Sequence, residues 1–305
     1  MLLVIEQLLN GLQLGITLFL MSAGLTLVFG IMQVINLAHG SFYMIGAYVG
    51  ATVAARSGSF LLGIAAALSA AAVAGMVVEV IVLRRLYRRE HLDQVLATFG
   101  LILFFNELTR IIWGRQPLMM DVPAWLGGSI ELLPGLPYPI YRLAVIAVGI
   151  AVAVGLWLLF SRTRVGMQIR AGAANREMIA ALGVNIRLLY TLVFGLGTLL
   201  AGLAGVMAGP ILAVESGMGE SILILTFVVI VIGGIGSVRG AVVGALLVGL
   251  VDTLGRAFLP AMFRLFLEGA AADSIAASVA SMAIYILMAG ILVWRPRGLY
   301  PAHWS

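Results

Sequence analysis

The sequence of 305 residues contains no cysteine, and all 18 of its basic residues are arginine because lysine is also absent. Without cysteine the chain has no disulfide, no thiolate metal site and no cysteine nucleophile. Without lysine it has no Schiff-base chemistry and no phosphate-binding loop of the Walker type. If ATP drives this protein, a different chain must therefore hydrolyse it.

Charged residues are scarce as well, at 10% of the chain, whereas 62% of the residues are hydrophobic. Soluble domains carry about 25% charged residues. The charged residues of this chain are too few to cover the surface of a protein in water. Lipid must therefore surround most of this chain. The three histidines include no pair with metal-ligand spacing, so we expect no metal site. The N-terminus shows neither a basic segment nor a cleavage site, which favours a retained span over a signal peptide.

Nine apolar runs approach the length of about 20 residues that a membrane helix needs. The second and seventh are short and flanked by glycine, a pattern tolerated at membrane depth where the backbone lines a cavity or packs within protein. Runs one to four and six to nine would form two inverted repeats around run five. We predict an all-α polytopic membrane protein with about nine transmembrane helices. The runs cover residues 8–29, 40–55, 60–83, 95–113, 141–160, 188–208, 222–235, 241–258 and 275–294.

The arginines indicate the orientation of these spans. With nine spans, twelve of the 18 arginines fall on one side of the membrane, chiefly in 84–89, 162–187 and 295–297. The positive-inside rule makes that side cytoplasmic. We expect a multi-pass protein of the bacterial inner (plasma) membrane with a periplasmic N-terminus and a cytoplasmic C-terminus. Orientation in the membrane also explains the basic charge, so no nucleic-acid partner is implied.

We interpret residues 1–305 as a single transmembrane domain with two long segments outside the lipid. The periplasmic loop 114–140 contains five prolines, which limit regular structure. It suits a packed cap over the outer mouth or a docking surface for a solute-delivery protein, and the two roles are compatible. The cytoplasmic segment 161–187 is too long for a simple turn. In addition, small residues crowd 201–205 and predict close helix packing.

Within the cytoplasmic segment, Asn175 is placed to cap a short helix over 176–182, and Gly183 to end it. Such an amphipathic helix is suited to dock into a groove of another protein. The alternative is a helix lying on the lipid interface with its arginines near phosphates. Its apolar face would consist of Met178, Ile179 and Leu182, beside the polar Arg176 and Glu177.

Four motifs occur in a fixed order along the chain. The first reads GIM at 30–32, INLAHG at 35–40 and MIGAY at 44–48. The second joins Arg170, Ala173 and Asn175 to GVN at 183–185, the third is GGIGS at 233–237 and the fourth is RPRGL at 295–299. Together they resemble the permease subunits of branched-chain amino acid ABC transporters. Glu79 also falls where that family often has an acid before a basic stretch.

The resemblance implies the fold of type II-like ABC importer permeases and a transport subunit that is not an enzyme. It implies a second, homologous permease subunit as partner, two cytoplasmic ATPase subunits and a periplasmic solute-binding protein. This chain would bind no cofactor, since ATP and Mg belong to the ATPase subunits. The implied coupling residues are Ala173, Asn175, Arg176, Glu177, Met178, Ile179, Leu182 and Gly183.

Polar residues inside a membrane usually face a cavity, a neighbouring helix or each other. The first such cluster surrounds a glycine-rich helix break, and it either lines the solute pathway or is satisfied internally. Two further asparagines could line the path or bond between helices. Two charged pairs at helical spacing suit intrahelical pairs or inter-subunit locks better than solute contacts. The pathway candidates are Asn36, His39, Gly40, Ser41, Asn10 and Asn106; the pairs are Glu107 with Arg110 and Asp252 with Arg256.

These observations predict import of branched-chain or other hydrophobic amino acids from a periplasmic binding protein into the cytoplasm. The same fold moving an amide, urea or a sugar remains an alternative, since a binding protein supplies most of the selection. A stand-alone secondary carrier is a further alternative, but it requires acids at mid-membrane for ion coupling. An intramembrane enzyme is disfavoured because neither HExxH nor GxSxG occurs in the sequence.

Overall fold

The structure, a computed structural model, describes residues 2–87, 89–267 and 269–301. Arg88, Glu268 and His303 lie outside these ranges. The first half of the chain forms α1 (Leu2–Met32), α2 (His39–Ser57), α3 (Phe60–Val78), a π-helical turn (Glu79–Leu83), α4 (Arg84–Leu86) and α5 (His91–Trp113). The second half forms α6 (Ile140–Arg162), α7 (Arg164–Ala174), α8 (Arg176–Ala181), α9 (Ile186–Ala208), α10 (Met218–Gly233), α11 (Val238–Phe263) and α12 (Gly269–Trp294).

A small irregular region separates the two halves. It contains a 3-10 turn (Ala124–Leu126) and an antiparallel hairpin of β1 (Ser129–Leu133) and β2 (Leu136–Pro139). Leu118 also pairs with Val214, which ties this region to the segment before α10. The prolines of the 114–140 loop therefore permit more regular structure than the sequence suggested, while the rest of the described fold is helical.

Local sequence signals explain most helix boundaries. The Ser59 side chain accepts a hydrogen bond from the N–H of Leu62 and caps α3, and Ser237 caps α11 in the same way through Gly240. Gly114 ends α5 with a φ of +86°, a conformation that costs glycine little. The end of α1 is different, because Gln33 is a non-glycine residue with a φ of +53°. This residue turns the chain back towards the centre of the bundle.

Seven helices in the described chain are long and apolar enough to cross a membrane, fewer than the nine runs in the sequence. These are α1, the continuous helix Phe60–Leu86, α5, α6, α9, α11 and α12. The two runs that fall short are the two predicted to be short and glycine-flanked. α10 has only 16 residues, and α2 contains several polar side chains among its 19 residues. The fold is therefore that of a polytopic helical membrane protein with seven candidate spans.

Two of the spans form the centre of the bundle. In the most apolar window of α1, 83% of the residues are buried, and in that of α9, 78% are buried. The corresponding share in α5, α6 and α12 is 22%. α2 packs against α9, and α10 packs against α1. The other helices thus surround α1 and α9 and expose apolar faces to lipid.

Glycine and alanine permit the close approach of the central helices. A Cβ on Gly202 of α9 would lie 2.5 Å from the Cβ of Ala71 in α3, and one on Gly205 would lie 2.0 Å from the carbonyl oxygen of Tyr43 in α2. The prediction that 201–205 is a packing face is confirmed. Small residues have this role in lipid because van der Waals contact, rather than the hydrophobic effect, holds membrane helices together.

Candidate functional site

The central helices α1 and α9 touch where two glycines meet. A Cβ on Gly24 would lie 2.4 Å from the carbonyl oxygen of Gly197, and one on Gly197 would lie 2.9 Å from that of Gly24. Gly197 is close to the middle of the 23-residue helix α9. The Nε2 atom of His39 lies 3.1 Å from the position of a Cβ on Gly24. The first residue of α2 therefore lies beside the centre of the bundle rather than at its end.

α10 begins at the same place. A Cβ on Gly40, the second residue of α2, would lie 2.1 Å from the carbonyl oxygen of Gly219, the second residue of α10. The reverse approach, from Gly219 to the carbonyl oxygen of Gly40, is 2.2 Å. The two shorter inner helices thus start in backbone contact. Interrupted helices that start inside a bundle present their N–H groups and their positive dipole ends at that depth.

A narrow crevice lies beside this contact, between α2, α5 and α10. Gly40 and Ser41 form one wall, and Asn106 on α5 faces Glu220 on α10. The Asn106 side-chain amide donates a hydrogen bond to the Glu220 carboxylate. Three of the six predicted pathway residues, Gly40, Ser41 and Asn106, are thus brought together. Leu37, Met44, Ile102 and Gly219 complete the lining.

Polar side chains continue from this crevice along the exposed face of α5. Arg110 Nη1 lies 2.6 Å from Glu107 Oε1, and its Nε atom donates to Ser216 Oγ at 3.2 Å. The side chains of Arg110 and Glu107 are 42% and 63% exposed. The predicted pairing of Glu107 with Arg110 is confirmed, as is that of Asp252 with Arg256 at 3.0 Å. We call Asn106, Glu107, Arg110, Ser216 and Glu220 the polar row.

Asn36 and His39 do not line the crevice, and both are fully buried. Asn36 Oδ1 accepts a hydrogen bond of 3.1 Å from the N–H of Ala38 and so shapes the turn into α2. The Asn36 amide nitrogen and both ring nitrogens of His39 have no hydrogen-bond partner within the described residues. Buried polar atoms without partners are costly. The α2 start therefore retains hydrogen-bonding capacity at the centre of the bundle.

Asn10 is remote from the other candidates. Its Oδ1 atom accepts hydrogen bonds from the Tyr138 hydroxyl at 3.2 Å and from Arg142. These bonds join α1 to β2 and α6, which matches the alternative that this asparagine bonds between helices. Burial raises the pKa of Tyr138, so its hydroxyl keeps the proton that it donates. The structure does not place Asn10 near the crevice.

A buried ionic network lies at the C-terminal end of α3, and the sequence indicated only one of its members, Glu79. The Glu79 carboxylate, which is fully buried, lies 3.0 Å from Arg84 Nη2 and 2.6 Å from the Thr191 hydroxyl of α9. The Tyr87 hydroxyl donates to the same carboxylate. Burial, followed by this hydrogen bond, raises the pKa of Tyr87 and keeps it a donor. The available signal in the sequence was an acid five residues before an arginine. No sequence feature indicated the role of Thr191.

Glu220 and Ser216 were likewise not predicted as site residues from the sequence. Both lie in or next to the first turn of α10, which the sequence pattern began only at residue 222. The signal available in the sequence was an acid immediately before a short apolar run, but it does not reveal that Glu220 meets Asn106 across 114 positions of the chain.

The segment predicted to contain one short helix contains two. α7 and α8 are separated at Asn175, which has an extended backbone and whose Oδ1 accepts a hydrogen bond of 2.9 Å from the N–H of Met178. The predicted cap is thus confirmed. The helix ends at Ala181, and Gly183 follows with a φ of +86°.

The apolar residues of α8 do not share one face. Met178 and Leu182 are 63% and 78% exposed, whereas Ile179 is 5% exposed and packs inward. The prediction of a single face of Met178, Ile179 and Leu182 is therefore wrong, because adjacent residues of a helix point about 100° apart. Arg176 and Glu177 are exposed beside Met178, and Ala173 packs partly against the core. α8 thus presents a mixed apolar and charged surface, and the buried side chain of Ile179 packs it against the rest of the protein.

Short inner helices that begin inside a membrane bundle are a feature of many transporters. A family comparison agrees: the sequence profile described as branched-chain amino acid transport system, permease component, matches residues 7–293. The chain belongs to this family of transport permeases, which are not enzymes. No solved structure matches the chain.

Individual relatives cover most of the chain. The permease protein BraD of a high-affinity branched-chain amino acid transport system in Pseudomonas aeruginosa is 31% identical over 265 residues, 82% of this chain and 86% of BraD. The corresponding protein LivH of Escherichia coli is 27% identical over 308 residues, 94% of this chain and 95% of LivH. The ribose import permease RbsC of Escherichia coli is 27% identical over 261 residues, 81% of this chain and 77% of RbsC.

Proposed function

We propose that this chain is one of two membrane subunits of an ATP-driven importer in the bacterial inner membrane. Its cargo is a branched-chain or similar hydrophobic amino acid, delivered by a periplasmic binding protein. The observation that carries this proposal is the family match over 7–293. The relatives BraD and LivH, which are named for branched-chain amino acids, support the choice of cargo.

The proposed fold has nine membrane-embedded helices in two inverted repeats, residues 1–305 forming one domain. α1, α2, α3 and α5 would correspond to α9, α10, α11 and α12. The packing supports this correspondence, because α1 lies along α11 as α9 lies along α3, and α2 contacts α9 as α10 contacts α1. The contacts of Gly24 with Gly197 and of Gly40 with Gly219 then lie close to the axis that relates the repeats.

In this arrangement the solute passes the crevice and the polar row, near the starts of α2 and α10. A zwitterionic amino acid needs partners of both signs. The N–H groups at the helix starts suit its carboxylate, and the Glu220 carboxylate suits its ammonium group. Exposure of the polar row on the single chain supports a pathway completed by a second permease subunit. Gly40, Ser41 and Asn106 line the pathway. Asn36 and His39 do not line it but stabilise the start of α2.

Residues 161–187 form the cytoplasmic coupling segment and 114–140 the periplasmic loop, with the N-terminus outside and the C-terminus inside. Met178 and Leu182 enter a groove of an ATPase subunit, with Arg176 and Glu177 at its rim. ATP and Mg are bound by two such subunits and not by this chain. Movement of the segment reaches α9 directly, since α9 begins five residues after α8 ends.

The test is uptake by proteoliposomes that contain this chain, its partner permease and the ATPase subunits. Uptake of leucine that requires ATP inside and a leucine-loaded binding protein outside is the expected result. Uptake by the purified chain alone, driven by an ion gradient, would overturn the proposal in favour of a secondary carrier. The 27% identity to RbsC makes sugar import the second candidate, which uptake of ribose with a ribose-binding protein would support.

A further inference from the structure

A second and larger cavity lies along α1, which does not line the crevice. It is a cleft of about 500 Å³ between α1, α6, α7 and α11, and none of its lining residues is shared with the crevice. Its outer wall is α6, whose residues Ile150 and Val154 are 53% and 50% exposed. The cleft therefore lies beneath a helix with an exposed apolar face, and its lining is separate from the proposed solute pathway.

The inner part of the cleft is long and apolar. It extends along α1 from Phe19 to Ile31, a length of about 18 Å at 1.5 Å per residue. The walls there include Leu27 of α1, Ala153 of α6 and Val242 of α11. A channel of this length and chemistry suits a hydrocarbon chain rather than a zwitterionic amino acid.

The mouth of the cleft is cationic. Arg170 of α7 and Arg239 of α11 lie there, both exposed, together with Ser161 and Ser237. The four ion pairs of the described chain involve other arginines, and no carboxylate lines the cleft. Trp157, which is 54% exposed, also borders the opening. Tryptophan at that position is typical of the headgroup level of a membrane.

One polar group inside the cleft lacks a partner. The Thr26 hydroxyl oxygen is buried, lines the cleft and has no hydrogen-bond partner within the described residues. Thr26 lies on α1 between the apolar interior and the charged mouth. A ligand with an ester carbonyl between its hydrocarbon chain and its anionic group would supply the hydrogen-bond acceptor that the Thr26 hydroxyl lacks.

We propose that this cleft binds an anionic phospholipid, with its phosphate between Arg170 and Arg239, its ester carbonyl at Thr26 and one acyl chain beside Ala153. Basic pockets between membrane helices suit such headgroups, and each arginine near the surface adds attraction to anionic lipid. The assignment to the cytoplasmic leaflet rests on the orientation proposed above. The lipid would fill the space between α6 and α7, the helix before the coupling segment, and the central helix α1.

Native mass spectrometry of the full transporter, purified in detergent and titrated with phosphatidylglycerol or phosphatidylethanolamine, tests this site. Wild type is expected to retain one more phosphatidylglycerol per chain than the double variant R170Q/R239Q, whose affinity should fall roughly 30-fold from the loss of two such charges. The double variant R56Q/R115Q removes two exposed arginines elsewhere and should bind like wild type. Equal retention by wild type and R170Q/R239Q, or equal retention of both lipids, would overturn the proposal.

A steric variant tests the acyl channel independently of charge. Ala153→Phe should fill the apolar wall and release the lipid, whereas Ala147→Phe, on the exposed face of the same helix, should not. Displacement of bound lipid by inorganic phosphate alone would indicate an anion site and refute the lipid assignment. Lipid retention requires no transport, so failure of leucine uptake with normal retention would contradict only the proposed function.

Discussion

The Thr191 hydroxyl lies 2.6 Å from Glu79 Oε2 and thereby joins the start of α9 to the end of α3. Arg84 Nη2 lies 2.8 Å from the same hydroxyl and 3.0 Å from the carboxylate. α9 follows the proposed coupling segment directly, so this network connects the segment to α3, the helix that precedes the basic loop. A buried carboxylate with three donors gives this junction a defined geometry.

Thr191→Val should destabilise the protein by about 1–3 kcal/mol, because it removes a donor from a buried carboxylate while preserving side-chain shape. Thermal unfolding in detergent measures the effect. Thr98→Val is the matched control: Thr98 is also fully buried, but its hydroxyl bonds only to carbonyls of its own helix. A melting temperature for Thr191→Val equal to that of wild type would show that the network adds no stability.

Gly40→Ala should disrupt the contact of α2 with α10, because the new Cβ would lie 2.1 Å from the Gly219 carbonyl oxygen. Overpacking of this kind costs about 1–3 kcal/mol, and transport should fall with it. Gly100→Ala and Gly155→Ala serve as controls in uptake and thermal unfolding, since both sites have open space around the added Cβ. Normal uptake by Gly40→Ala would refute the close approach at the helix starts.

Asn106→Leu should lower the rate of solute uptake without loss of assembly, because it removes the amide that faces Glu220 in the crevice. Asn36→Leu should also reduce uptake, since the α2 start then loses its side-chain acceptor. Asn10→Leu provides the contrast, for it should lower the melting temperature through lost bonds to Tyr138 and Arg142. Unchanged uptake by Asn106→Leu in a fully assembled transporter would exclude that residue from the pathway.

The double variant R176A/E177A should uncouple ATP hydrolysis from uptake and leave folding intact, since both residues are exposed. Ile179→Ala should act differently, because Ile179 is buried and a truncation of this kind costs about 2–5 kcal/mol. The ratio of ATP hydrolysed to solute transported, together with the melting temperature, separates the two effects. Normal coupling in R176A/E177A would show that α8 does not transmit the ATPase movement through these residues.

The absence of cysteine permits a direct test of orientation. Met119→Cys and Leu182→Cys introduce single thiols at sites that are 81% and 78% exposed. In intact spheroplasts a membrane-impermeant maleimide should label the first variant and not the second, and permeabilised cells should show both. Labelling of the Leu182 variant in intact spheroplasts would reverse the proposed topology.

Predictions from the sequence succeeded where one short stretch of chain decides the outcome. The Asn175 cap, the packing face at 201–205 and the pairs of Glu107 with Arg110 and Asp252 with Arg256 depend on spacings within a helix turn or two. The single apolar face of α8 failed because α8 packs against the flanking helices α7 and α9, which buries Ile179 and leaves Met178 and Leu182 exposed. The contact of Asn106 with Glu220 joins separate helices, and hydropathy carries no information about which helices are neighbours.

The sequence by itself determined that this chain lies in lipid, that its fold is helical and which family it belongs to, because composition, hydrophobic run length and motif order are properties of the chain. Only the tertiary structure decided that α2 and α10 begin together beside the middle of α9, and that a lipid-facing cleft has a cationic mouth. The physical reason is that helix–helix contact in lipid depends on how closely two backbones approach, and Gly40 meets Gly219 only after the chain has folded.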